Sequence, residues 1–115
     1  MIMDIKLDYV EEIGVISIGG ELDAQSSPEL IEFFNNRVPE NCLEVVADLK
    51  GLNYSSSAGI RVFLGLARDL RRKRGDLRIS GVQPHVEKIF KLSKFDKIVR
   101  IFPAKEDAIQ SFQTK

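Results

Sequence analysis

Ser55, Ser56 and Ser57 stand in a row where an apolar run has ended and a helical pattern begins, followed directly by Ala58-Gly59-Ile60. Helix starts leave backbone N–H groups unpaired and carry partial positive charge, so anions are favoured there. A serine hydroxyl in that place can cap the helix or accept a phosphate. A cap needs one serine, and here there are three. Gly59 removes a side chain beside the helix start and lets something approach the backbone closely. Arg61 lies four residues after Ser57, on the same helix face, where a cation in the first turn opposes the dipole by roughly 0.3–1 kcal/mol. It reads as a ligand for a phosphate or an acidic partner surface, or else as an exposed solubilising residue.

Other constellations carry less. Ser57, His85 and Asp23 can be written as a Ser-His-Asp set, but no serine sits in a G-x-S-x-G elbow. Cys42 falls where a strand begins, a usual place for a small buried thiol, so a Cys42–His85 pair is not expected. His85 follows Pro84 at a helix start and reads as a solvated or capping residue. One cysteine and one histidine cannot build a zinc cluster of the usual kind. With no Walker loop and no G-x-G-x-x-G, no cofactor is expected, and catalysis has little support. The run Arg68-Asp69-Leu70-Arg71-Arg72-Lys73-Arg74 ends a predicted helix before Gly75, where the dipole favours cations, and this accounts for it without a nucleic-acid role. Glu11-Glu12 reads as a solvated hairpin turn.

The elements that must position these residues follow from periodicity. Ile5, Leu7 and Tyr9 alternate with polar neighbours as a half-buried strand, and Val15-Ile16-Ser17-Ile18 forms a second that ends at Gly19-Gly20. The turn formers from Gly20 to Pro28 lead into a helix capped by Ser27, with Pro28 at its first position and Leu30, Ile31, Phe33, Phe34 and Val38 inside. Leu43 to Ala47 reads as a central strand covered on both faces. Ile60, Phe63, Leu64, Ala67 and Leu70 recur at helical spacing, with Gly75 as the stop. Leu77 and Ile79 mark the next strand. Pro84 opens a short helix with Val86, Ile89 and Phe90 inside, Ile98 to Phe102 forms the last strand, and Ala104 to Phe112 closes as an amphipathic helix. The expected class is α/β, a mostly parallel β-sheet with an N-terminal β-hairpin and about four helices in the order β-β-α-β-α-β-α-β-α. In such sheets sites lie beyond the carboxyl ends of the strands, which places Asp23 and Ser57 at one end of the molecule.

With 115 residues the chain fits one domain, able to bury roughly 65% of its unfolded surface. Its 17 basic and 17 acidic residues cancel, so the global field offers no reason to expect nucleic acid or an anionic membrane. No apolar run approaches a membrane span, and Met1 to Lys6 lacks the regions of a secretory signal. A single cysteine suits a reducing compartment, and a cytoplasmic location is expected.

Taken together, Gly20-Glu21-Leu22-Asp23, then Val46-Ala47-Asp48-Leu49, then Leu52-Asn53-Tyr54-Ser55-Ser56-Ser57-Ala58-Gly59-Ile60-Arg61 resemble the STAS domain, over nearly the whole of residues 1–115. A free-standing domain of this length is similar to the bacterial anti-sigma factor antagonists. The resemblance implies a protein that binds an anti-sigma factor and so frees a sigma factor. It implies a serine acceptor at the start of the second helix, phosphorylated by the anti-sigma factor acting as a serine kinase and restored by a PP2C-type phosphatase. Aligned on Ala58-Gly59, that acceptor falls on Ser57, with Ser56 the alternative. The partner-binding edge implied is Asp23, Ser55, Ser56, Ser57, Gly59 and Arg61. Many members have Asp immediately before the acceptor and a second serine after it, where this chain has Ser56 and Ala58. The other readings are a constitutive STAS scaffold, never phosphorylated, in a stress-signalling or transport complex, and a small hydrolase using Ser57.

Overall fold

Val45 and Val46 are both fully buried although their side chains leave opposite faces of one strand, so that strand is the centre of the molecule. The computed structural model describes residues 3–114. Strands β1 (Asp4–Val10) and β2 (Ile13–Leu22) form an antiparallel hairpin turned at Glu11-Glu12. Strands β3 (Glu44–Asp48), β5 (Asp76–Ser80) and β6 (Ile101–Phe102) add in parallel, giving the order β1-β2-β3-β5-β6. A short strand β4 (Leu52–Ser55) lies off this path and pairs in parallel with the end of β2. Helices α1 (Ser27–Arg37), α2 (Ser57–Arg72), α3 (Pro84–Leu92) and α4 (Lys105–Gln113) complete the domain, with a 3-10 turn at Phe95–Lys97.

The sheet divides two apolar layers. On one face Ile16, Val45, Leu77 and Ile79 meet Leu30 of α1, Phe63 and Leu70 of α2, and Val86 and Phe90 of α3. Within this layer Phe63, Phe90 and Phe95 pack with ring centroids 4.7–6.3 Å apart, inside the range where aromatic pairs attract. On the other face Val15 and Val46 meet Ala108, Ile109 and Phe112 of α4.

The expected α/β class, hairpin, parallel sheet and four helices are all present, and four details differ. Strand β2 runs through Gly19-Gly20 to Leu22, because Gly20 takes a positive φ and the register shifts there, so the strand bends and continues. Leu52–Ser55 is a strand where only a turn was expected, which makes the order β-β-α-β-β-α-β-α-β-α. The last strand is two residues long, since Phe95–Lys97 turns as a 3-10 helix and Val99 enters the core from the loop. Ile31 is 41% exposed, outside the buried stripe of α1 set by Leu30.

The stop after α2 also works differently from expectation. Arg74, not Gly75, holds the left-handed conformation (φ 70°). Gly75 is required because a Cβ there would lie 2.1 Å from the Leu43 carbonyl oxygen, at the point where β3 and β5 come together.

Phe63→Ala is expected to cost about 3–5 kcal/mol in urea unfolding, as the truncation of a fully buried aromatic does. Ile31→Ala should change stability by less than about 0.5 kcal/mol, as exposed positions do.

Candidate functional site

Leu22 ends β2 and Ser55 ends β4, and the two are register partners at the carboxyl edge of the sheet. The Ser56 N–H donates to the Leu22 carbonyl at 2.8 Å, which ties the start of α2 to the start of the Asp23 loop. The two strand-to-helix loops therefore adjoin, as the topology leads one to expect.

Each serine of the row has a different environment. Ser55 is 1% exposed and its hydroxyl donates to the Ser56 carbonyl at 3.2 Å, so it lies beneath the surface and offers a partner nothing. Ser56 is the N-cap of α2, half-buried, with extended backbone, and its Oγ accepts from the Gly59 N–H at 3.4 Å. Ser57 is the first helical residue and is exposed, and its hydroxyl has no hydrogen bond among the described residues.

Gly59 is buried, and the close approach it permits is internal. A Cβ there would stand 2.6 Å from Ser55 Oγ and 2.7 Å from Leu22 Cγ, so the glycine seats α2 on the two strand ends. Arg61 is exposed one turn beyond Ser57 and has no ion pair among the described residues.

Asp23 is half-buried and its carboxylate is engaged within its own loop. Oδ1 accepts from the N–H of Gln25 at 2.9 Å and of Ser26 at 3.0 Å, while the Asp23 N–H donates to Ser26 Oγ at 3.0 Å. This reciprocal pair closes the turn that precedes α1, whose N-cap, Ser26, makes no side-chain cap bond of its own. Ser27, the expected cap, is already the first residue of the helix, where its hydroxyl and N–H both donate to the Asp23 carbonyl. The Ser26 N–H, chiefly, holds the Asp23 carboxyl below its ordinary range; partial burial opposes the shift, and the Ser26 hydroxyl and Gln25 N–H add to it.

His85, the third member of the Ser-His-Asp set, is engaged elsewhere. A ring nitrogen of His85 bonds the carbonyl oxygen of Asn53, and Gln83 Nε2 donates to the Lys50 carbonyl at 2.8 Å, so the start of α3 is fastened to the segment before Ser55. Among the described residues no hydrogen bond joins His85 to Ser57 or to Asp23. Cys42 is buried 30 residues along the chain from Glu12, near its carbonyl, and burial chiefly raises its thiol pKa. Reasoning from sequence missed Leu22 and Gln83 as residues that hold the site. Leu22 was legible as the apolar residue of Gly20-Glu21-Leu22-Asp23, whereas Gln83 carries no local signal.

A mixed sheet with helices on both faces, with an exposed hydroxyl and an exposed guanidinium at one helix start that have no bonding partner among the described residues, defines a small α/β domain. A family model for the STAS domain matches residues 4–108, and the chain belongs to that family. Among its relatives is BtrV of Bordetella bronchiseptica, named as a candidate anti-sigma factor antagonist, 30% identical over 112 residues that cover 97% of each chain. The fold is shared with an anti-sigma factor antagonist of Mycobacterium paratuberculosis at a TM-score of 0.82 and 21% identity, covering 95% of this chain and 92% of that one. It is also shared with SpoIIAA, solved unphosphorylated (TM-score 0.74, 21% identity, 97% and 100% covered) and, from Bacillus, phosphorylated (0.71, 21%, 95% and 99%).

Stability should separate these roles. Ser56→Ala is expected to cost about 0.5–1 kcal/mol, the low end for a lost N-cap, and Ser57→Ala less than about 0.5 kcal/mol. Gly59→Ala should cost about 1–3 kcal/mol through overpacking. Chemical denaturation of the three variants is the check.

For Asp23 the sign follows from the lowered pKa: the ionised form stabilises the fold. That contribution is complete above the ordinary carboxylate value of about 3.9 and is lost as pH falls through the lower folded-state value. The stability gap between wild type and Asp23→Ala should therefore shrink as denaturation curves are taken below about pH 4.

Proposed function

We propose that this chain is an anti-sigma factor antagonist, and that phosphorylation of Ser57 switches it off. The observation that carries the reading is the separation of the three serines: Ser55 is buried, Ser56 is occupied as the cap, and the Ser57 hydroxyl is exposed and unbonded. The kinship with relatives named for the same activity supports it. The unphosphorylated edge around Ser56, Ser57 and Arg61, shaped by the Asp23 loop, docks on the anti-sigma factor and leaves the sigma factor free. This is a binding function with no chemistry of its own, exercised in the cytoplasm.

Phosphate on Ser57 adds about −1.5 to −2 charges at neutral pH. A helix start accommodates an anion, so the fold persists. A partner surface shaped for a neutral hydroxyl does not accommodate it: like-charge contact costs several kcal/mol, and each 1.4 kcal/mol is about tenfold in affinity. Ser57 is preferred to Ser56 as the acceptor because its hydroxyl is exposed and bonded to nothing among the described residues, whereas Ser56 is half-buried with its oxygen already engaged by the Gly59 N–H. In this reading the anti-sigma factor is itself the serine kinase, and a PP2C-type phosphatase reverses its work.

The test is phosphosite mapping by mass spectrometry on the protein from its native cells, with Ser57→Ala beside it. The expected result is phosphate on Ser57 that disappears in the variant. Phosphate on neither serine under any growth or stress condition would contradict the switch and support a constitutive scaffold.

A further inference from the structure

The zero net charge of the chain conceals a segregation: residues 1–48 hold eleven Asp and Glu against two Lys and Arg, and residues 49–115 hold six against fifteen. Four of those fifteen, Arg61, Arg68, Arg71 and Arg72, lie along α2. Ser57, Arg61, Leu64, Arg68 and Arg72 follow one another at spacings of three or four, so they share one helix face, about 22 Å long at 1.5 Å per residue. All are exposed except Leu64, which is half-buried.

At the far end of that face Leu64, Arg68, Arg71, Arg72 and Ile98 line a groove of about 410 Å³. Its far wall is fastened: Arg71 Nη2 donates to the Ile98 carbonyl at 2.7 Å, and Arg71 Nε pairs with Asp76 at 2.8 Å. Arg72 meets Asp69 at 3.3 Å in an exposed pair. Arg68 has no ion pair among the described residues. Ile98 is 50% exposed, an apolar wall left open to water among guanidinium groups.

We propose that this groove docks an amphipathic acidic segment of a protein partner, its apolar side chains resting on Leu64 and Ile98 and its carboxylates on Arg68 and, toward the helix start, Arg61. The planar guanidinium fork suits carboxylates, and an apolar floor between cations suits a helix with one apolar and one acidic face. The lining holds no aromatic ring on which a base would stack, which disfavours a single nucleic-acid strand. A flat bilayer does not enter a concavity. A second copy that brought a different, acidic part of its surface to this face would pack head-to-tail, an arrangement that runs on into open chains unless the rotation closes a ring. Leu64 and Arg68 stand about two and three turns along α2 from Ser57, so a phosphate on Ser57 would bear on the contact at Arg61 and the groove itself can fail or succeed without it.

The experiment is an NMR titration of the isotope-labelled chain with a short helix-forming peptide of Glu and Leu. Its Gln and Leu counterpart, anionic phospholipid vesicles and a DNA duplex are run at the same salt. Shifts are expected at Leu64, Arg68 and Ile98 with the Glu peptide. Binding should weaken at least about tenfold with the Gln peptide, and likewise with Arg68→Glu, an exposed substitution whose spectrum should otherwise match wild type. Shifts scattered over all basic residues, or none, would overturn the proposal. So would localised shifts with vesicles or duplex alone, and concentration-dependent shifts at the groove without peptide, which would assign the face to a second copy.

Discussion

The contact on which the arrangement rests is the seat of α2 on the carboxyl edge of the sheet. A hydrogen atom stands where any other residue at position 59 would carry a Cβ, and the room left is too small for one, with Ser55 Oγ 2.6 Å and Leu22 Cγ 2.7 Å from that point. The helix axis is thereby held against the ends of β2 and β4, and the Ser56 N–H reaches the Leu22 carbonyl. From that seat follow the buried Ser55, the capping Ser56 and the exposed Ser57.

The same seat explains how a charge can be added to the molecule without rebuilding it. A phosphate placed on that exposed first-turn hydroxyl, as proposed, would face water and the positive end of a 16-residue helix, so its effect would be confined to whatever docks there. Arg61, one turn on, stands on the same face as Ser57 and has no ion pair among the described residues. The Asp23 loop contributes differently. Its carboxylate is consumed in bonds within its own loop, so it shapes the rim more than it presents charge.

Long periodic segments were legible from the sequence because burial alone sets their pattern. The stripe through Ile60, Phe63, Ala67 and Leu70 and the unbroken run around Val45-Val46 read directly as a buried helix face and a central strand. What escaped was decided by pairing at a distance. Leu52–Ser55 is a strand only because the bent end of β2 lies beside it, and its polar residues Asn53 and Tyr54 read locally as a turn. Gly59 was recognised as a point of close approach, but which atoms approach it depends on where Leu22 arrives, and that is set by the bulge at Gly20. Ile98, expected in a strand, is diverted into the rim of the arginine groove by the 3-10 turn before it.

The central claim is that phosphate on Ser57 changes what the surface binds while leaving the fold as it is. It is tested most directly by preparing the chain unphosphorylated and fully phosphorylated on Ser57, then measuring thermal unfolding of both and calorimetric affinity of both for the anti-sigma factor of the same cell. The account predicts unfolding midpoints that agree closely and an affinity lowered by at least about tenfold on phosphorylation. Equal affinities, or a loss of binding that accompanies a large drop in thermal stability, would contradict it.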